Sequence, residues 1–305
     1  MDNQTSVSEF LLLEFSSTRE LQILHFVLFL VLYLAAITGN LLIISAVAFD
    51  HQLHTPMYFF LMNLALQDLG QVSVIIPKSM INSLLNTRHI SYSECVAQIL
   101  LFLFFVASDF FLLTVMAYDR YVAICNPLQY EMIMNKRACL QMTASVWFAG
   151  LLYGVLHTSV TFAATFCSNM VNQFFCEVPQ LLKLYCSKAY QAEIIVLVIS
   201  LLGSLGCFIF TIATYVMIFM AVLRIPSEQG RKKAFSTCLP HLIVFSTFMF
   251  TSSIAHFSSA FNTPPYMDFV LTIMYSMVPP LLNPFIYSMR NKDIKVALSK
   301  LLGVS

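Results

Sequence analysis

The sequence predicts an all-α membrane protein: a bundle of seven transmembrane helices with its N-terminus outside, followed by a short amphipathic helix after the last span. Three observations predict it. The chain of 305 residues is 59% hydrophobic and 10% charged, with a mean hydropathy of +0.79, whereas a soluble domain carries about 25% charged residues. Five stretches hold no Asp, Glu, Lys or Arg at all: 21–49, 138–176, 194–223, 234–267 and 269–289. Two more apolar stretches, 55–77 and 96–118, are each interrupted once, by Asp68 and Asp109. A bilayer core of about 30 Å needs roughly 20 helical residues, so all seven qualify. In lipid, backbone polar groups must be satisfied internally, and the alternating pattern of an outer-membrane barrel is absent. The stretches are therefore helices. A net charge of +1 excludes the basic face that a nucleic-acid partner would require, and membrane lipid is the solvent for most of the chain.

The elements follow in order within one domain spanning 1–305. "MDNQTSVSEFLLLEFSSTRE" has no basic n-region, and the apolar run after it is too long for a signal peptide. The first span, about 23–48, thus acts as an uncleaved signal. Asn3 opens the chain's one N-x-S/T sequon and is a candidate glycosylation site. The second span runs over about 57–78 and the third over about 96–120, ending in "MAYDRYVAIC". The fourth covers about 139–162, the fifth 193–223, the sixth 237–259 and the seventh 268–288. The longest outer segment, about 163–192, lies between spans four and five. After Tyr287, "MRNKDIKVALSKLL" places Ile294, Leu298, Leu301 and Leu302 on one helical face, with Lys292, Lys295 and Lys300 toward the other. That is a surface helix over about 290–302.

Orientation follows from the basic residues. With the N-terminus outside, eleven Lys and Arg fall on the inner side (Arg120, Lys136, Arg137, Arg224, Arg231, Lys232, Lys233, Arg290, Lys292, Lys295 and Lys300) and five on the outer side. This predicts a multi-pass membrane protein with a cytosolic C-terminus. Cys95, Cys167, Cys176 and Cys186 then fall on the oxidising side, where an even number suggests disulfides; four cysteines allow three pairings.

An ionisable residue inside a span is expensive and marks function. On the helical rise, Asp109 lies roughly 16 Å above Arg120 and Asp68 roughly 18 Å above Pro56, level with Asn40 and Asn283. Two neighbouring carboxylates need a cation or a shared proton. The layer is therefore either a hydrogen-bonded network with one Asp protonated or a small monovalent-cation site, sodium being the candidate metal, with no other cofactor expected. On the third span Phe102, Val106, Asp109, Leu113, Met116 and Arg120 share one face, which points into the bundle because it carries Asp109. Its outer half, Phe102, Leu103, Val106 and Ala107, is apolar and offers no carboxylate to hold an amine. Facing it, Ser200 and Ser204 in the fifth span, Ser252, Ser253 and His256 in the sixth and Ser276 in the seventh add scattered polar groups. Such a cavity suits a small, mostly apolar ligand, although each serine also fits a helix–helix hydrogen bond. His256 has no second His or Cys at metal-ligand spacing. Enzyme signatures such as H-E-x-x-H, G-x-S-x-G or a phosphate-cradling Gly-rich loop are absent.

"LHTPMYFFL" (53–61), "MAYDRYVAIC" (116–125), "KAFSTC" (233–238) with His241-Leu242, and "PLLNPFIYSMRN" (280–291) together resemble the odorant receptors, a branch of the rhodopsin-like G-protein-coupled receptors. The likeness runs essentially end to end, and the short second outer loop fits the tetrapod (class II) branch. The resemblance implies binding of a small-molecule odorant and activation of a heterotrimeric stimulatory G protein on the cytosolic side, leading to cAMP. It implies that Asp119, Arg120 and Tyr121 form the ionic-lock triplet, with Arg120 released when the sixth helix moves out. Tyr215 and Tyr287 match the tyrosines that rearrange on activation, and Asn283, Pro284 and Tyr287 the NPxxY-type element. Cys95 with Cys176, and Cys167 with Cys186, match the family's disulfides, and Asp68 and Asp109 its sodium-like site. Departures are Pro240 where relatives often have Ser, and Phe248-Met249-Phe250 where many read "FYG". The same motifs would serve a receptor for a non-odorant metabolite; a seven-span transporter is the reading from another class.

Overall fold

The computed structural model describes residues 7–13, 18–186, 191–260 and 265–303; Asn3 lies outside them. Among these residues seven helices are long and apolar enough to cross a membrane. They are α1 (Arg19–Phe49), α2 (Pro56–Leu85), α3 (Tyr92–Cys125), α5 (Lys136–Phe162), α7 (Gln191–Leu223), α8 (Glu228–Ala260) and α9 (Pro265–Arg290). Short helices α4 (Tyr130–Ile133), α6 (Val178–Leu182) and α10 (Lys292–Leu302) complete the order. The long helices run past the limits expected from hydropathy at one or both ends; in α3 and α5 a polar side-chain cap, Ser91 and Asn135, starts the helix outside the apolar stretch. α2 starts on Pro56, whose fixed φ suits a first turn, and stops at Asn86 in the left-handed region, φ 52°. α3 starts on a capping box: Ser91 Oγ accepts from Glu94 N at 3.2 Å, and Glu94 Oε2 accepts from Ser91 N at 2.9 Å.

The polarity pattern is that of a bundle in lipid. Outward positions carry large apolar side chains, Phe148 at 69% and Ile199 at 64% exposure, while Asn40, Gln67, Asp68 and Ser108 are buried inside. α3 is the central rod, packing against α2, α5, α7 and α8. Its approach to α5 depends on glycine. A Cβ at Gly150 would meet Ser108 Oγ at 2.0 Å and the Phe104 carbonyl at 2.9 Å, and one at Gly154 the Leu100 carbonyl at 2.8 Å, the small-residue contact typical of membrane helices.

α9 carries Pro279, Pro280 and Pro284 in its interior. Each proline leaves the carbonyl four residues back without its helical donor. Side chains from other helices fill two of these gaps: Gln71 Nε2 donates to the Ser276 carbonyl at 2.8 Å, and Asn40 Nδ2 to the Pro280 carbonyl at 3.0 Å. The broken helix is thus fastened to α1 and α2 where it is weakest.

At one end of the bundle β1 (Glu9–Leu11) pairs antiparallel with β2 (His89–Ser91), and Leu11 exchanges backbone bonds with Asn169 and Val171 of the loop between α5 and α7. Disulfides Cys95–Cys176 and Cys167–Cys186 hold that loop, in the pairing the resemblance implies. At the other end α10 docks through Ile294 and Ala297, both buried, with Leu298 half-buried. The expected apolar face is shorter than the sequence reading: Leu301 and Leu302 are exposed because the helix runs past the bundle there. Lys300, expected on the polar face, reaches Asp50 at the end of α1 at 3.1 Å. The Gln52 backbone N–H, then Lys300, hold the Asp50 carboxyl below its ordinary value.

Candidate functional site

Three clusters lie along α3. At the disulfide end, the loop segment 173–177 dips into the bundle. Cys176 N donates to Gln98 Oε1 at 2.8 Å, and Ser79 Oγ to the Phe174 carbonyl at 2.9 Å, so α2 and α3 hold its backbone. Phe175 then packs edge-on to Phe102 with ring centroids 5.1 Å apart, and Tyr275 of α9 lies 6.2 Å from Phe102. Gln173 Nε2 donates to Thr272 Oγ1 at 2.8 Å. The Tyr275 hydroxyl donates to the Glu177 carboxylate, which is buried. Here the sequence reading needs correction: a carboxylate does reach this end of the bundle, delivered by a loop residue next to Cys176 rather than by the apolar stretch of α3.

The residues expected around this cavity are distributed unevenly. Phe102 and Ala107 are buried; Val106 packs partly buried beside Phe102, whereas Leu103 joins the cluster of Ile99, Phe166 and Cys176 under the loop. Ser276 is buried, its hydroxyl donating to the Thr272 carbonyl at 2.6 Å. Ser200 bonds His157 of α5 at 2.8 Å, so it joins two helices. Ser204 donates to its own helix at the Leu201 carbonyl, 3.0 Å, and Ser253 is exposed. The side chains of Ser252 and His256 lie outside the described residues. Sequence reasoning did not single out His157, although an imidazole in a charge-free span was a visible signal.

Midway along α3, Asp109 is buried, as is Asp68 of α2. Asn283 Nδ2 donates to both Asp68 oxygens, at 3.3 and 3.0 Å. Asn40, expected beside them, is instead committed to the carbonyls of Ala36 and Pro280. Asp109 Oδ1 and the Tyr287 hydroxyl are buried without a hydrogen-bond partner among the described residues. Among the described residues no group of three His, Cys, Asp or Glu side chains could hold a metal ion. A pair of carboxylates with one uncommitted oxygen still fits a monovalent cation or a shared proton.

At the far end of α3, Arg120 Nε donates to Asp119 Oδ2 at 2.9 Å, and a second guanidinium nitrogen reaches the same oxygen. The other carboxylate oxygen accepts from the Tyr130 hydroxyl at 2.7 Å. Burial, then the Asp119 charge, push the Tyr130 phenol above its ordinary value, so it stays a donor. All of these face the bundle: Asp119 is 1% and Arg120 8% exposed. Tyr121 lies partly buried beside Ile218, Val222 and Cys238. The sequence reading assigned no role at this end to His241. Its Nε2 lies 2.8 Å from the Leu113 carbonyl, which can only accept, so Nε2 carries the hydrogen in the neutral ring. Nδ1 is then the acceptor for the Tyr215 hydroxyl. One imidazole on α8 therefore ties α8 to α3 and to α7. His241 was visible in a motif, but its partners are set by helix packing.

Comparison with known proteins gives a consistent result. A family described as "Olfactory receptor" matches residues 29–304. Olfactory receptor 14A16 of Homo sapiens is 48% identical over 99% of this chain and 98% of its own length. Olfactory receptor 14C36 of Homo sapiens is 47% identical over 99% and 97%. Among solved structures, squid rhodopsin superposes with a TM-score of 0.75 at 18% identity, covering 94% of this chain and 87% of that one; at that identity the likeness concerns the fold.

Proposed function

The chain belongs to the olfactory receptor family, receptors coupled to G proteins rather than enzymes, and from that premise we propose how its three clusters share the work. The odorant binds at the disulfide end, against Phe102, Val106 and Ala107 of α3 and under the lid formed by Phe175 and Tyr275. Gln173, Thr272 and the Tyr275–Glu177 pair supply the polar groups beside it. An odorant that binds the active arrangement more tightly shifts the population toward it. That arrangement breaks the bonds of His241, lets α8 move away from α3, and frees Arg120 from Asp119 for a heterotrimeric G protein of the stimulatory, olfactory type, raising cAMP. Tyr215, Asn283, Pro284 and Tyr287 are the parts that rearrange with it.

The observation that carries this reading is that one helix, α3, holds the aromatic cluster at one end and the Asp119–Arg120–Tyr130 network at the other. The Arg120 end faces the cytosol and the disulfide end the exterior, which agrees with eleven basic residues on one side against five on the other. An N-terminal epitope stained on intact cells tests that orientation. Asp68 and Asp109 hold a sodium ion that favours the resting arrangement; Asp109→Ala then removes the effect of sodium on signalling, and an unchanged response to sodium contradicts it. The reading as a whole is tested by a cAMP reporter screen across odorant classes, repeated with Phe102→Ala. Silence at confirmed surface expression, or identical potency in the variant, counts against it.

A further inference from the structure

A separate site lies on the outer wall of the bundle. At the start of α5, Lys136, Arg137, Leu140, Gln141 and Ala144 line an open groove of about 560 Å³. Four-residue steps put Lys136, Leu140 and Ala144 in one row and Arg137 with Gln141 in the next. The first row continues to Phe148, and Leu151, Leu152 and Val155 above it are also exposed. α5 is one of the membrane-spanning helices, so this stripe lies against acyl chains. Lys136 and Arg137 open the helix about 12 Å below Ala144, at headgroup level. Both are exposed, and neither makes an ion pair among the described residues. The first turn of α5 holds no acidic residue, and Glu131, five residues before Lys136, is likewise in no ion pair among the described residues.

We propose that this groove binds an anionic phospholipid. The phosphate lies between Lys136 and Arg137, the Gln141 amide meets the glycerol ester region, and one acyl chain runs along Leu140, Ala144 and Phe148. Two unpaired cations select the headgroup charge. The apolar row leading away from them selects a molecule with a tail over a soluble anion. A Lys or Arg at an anionic surface favours binding about fivefold, so the pair gives a preference of about thirtyfold over a zwitterionic lipid.

The chain carries its own reporter. Trp147, its single tryptophan, stands three residues beyond Ala144, partly buried against Phe104 of α3. The full chain is reconstituted in phosphatidylcholine vesicles containing a fixed minority of lipid with brominated acyl chains, carried on phosphatidylserine in one arm and on phosphatidylcholine in the other. Brominated phosphatidylserine is expected to quench Trp147 more strongly. The excess is lost in K136Q/R137Q, while quenching by brominated phosphatidylcholine stays the same and reports that α5 is still in the bilayer. It persists in R231Q/K232Q, which removes equal charge elsewhere at the same end, and under added inorganic phosphate at constant ionic strength. The proposal is overturned by equal quenching from the two lipids, or by an excess that survives K136Q/R137Q. Loss of the excess in R231Q/K232Q also overturns it, as general surface attraction, and so does loss under phosphate, as a site for a free anion.

Discussion

Replacing His241 with Phe tests whether one imidazole holds α8 closed. The substitution keeps a flat ring of similar size, which can retain the stacking against Tyr215 and Phe245. It removes the bond to the Leu113 carbonyl and the bond from the Tyr215 hydroxyl. A buried neutral hydrogen bond contributes about 0.5–1.5 kcal/mol net, so the two together hold about 1–3 kcal/mol. The Leu113 carbonyl, within α3, keeps its helical donor, and the fold itself loses little. If both bonds exist only in the closed arrangement, the closed-to-open equilibrium shifts by about 5–150-fold. The assay is cAMP in the absence of odorant, compared at equal surface density of receptor. Basal output should rise at least several-fold in H241F. Basal output unchanged at matched surface density would refute the latch, because the lost bonds would then be equally present, or equally absent, in both arrangements.

Three further outcomes follow from other contacts. Asp119→Asn replaces charge-assisted bonds to Arg120 with neutral ones, a loss of about 1–1.5 kcal/mol, and should raise basal cAMP about tenfold while the Tyr130 contact keeps an acceptor. Gly150→Ala drives a methyl group into Ser108 Oγ and the Phe104 carbonyl and should cost about 1–3 kcal/mol, seen as a lower thermal midpoint in detergent. Ser108→Gly in the same chain should restore only part of it, since the backbone carbonyl remains. Breaking Cys95–Cys176, whose loop spans 81 residues, should destabilise more than breaking Cys167–Cys186, which spans 19. The chain-entropy costs are about 4.5 and about 3 kcal/mol, a ranking that thermal unfolding of Cys→Ser variants checks.

What the sequence revealed, and what it hid, divides along physical lines. Spans were legible because lipid permits few charges and requires closed backbone bonding, so the scarcity of Asp, Glu, Lys and Arg outlines the seven long helices, though not the short α4 and α6. Asp68 and Asp109 stood out for the same reason, each being costly inside a span, and Arg120 because it shares a helical face with Asp109. Glu177 did not stand out, because the path of the loop that buries it is set by a disulfide and by Gln98 and Ser79, none of which has a period. The partners of Gln71 and Asn40 were hidden too. The prolines of α9 each cost a carbonyl its helical donor, but only the packing of α1 and α2 beside them shows what replaces it. Leu301 and Leu302 lie on the apolar face of α10 by phase, yet the bundle ends before reaching them.

The central claim is that α3 transmits odorant occupancy at one end to Arg120 at the other. It is tested most directly by odorant-evoked cAMP from Arg120→Ala and unaltered receptor at equal surface density, using any odorant that activates the unaltered chain. The account predicts that odorant binding persists in the variant, read by displacement of a bound probe, while the cAMP response falls to background. A full cAMP response in Arg120→Ala contradicts it.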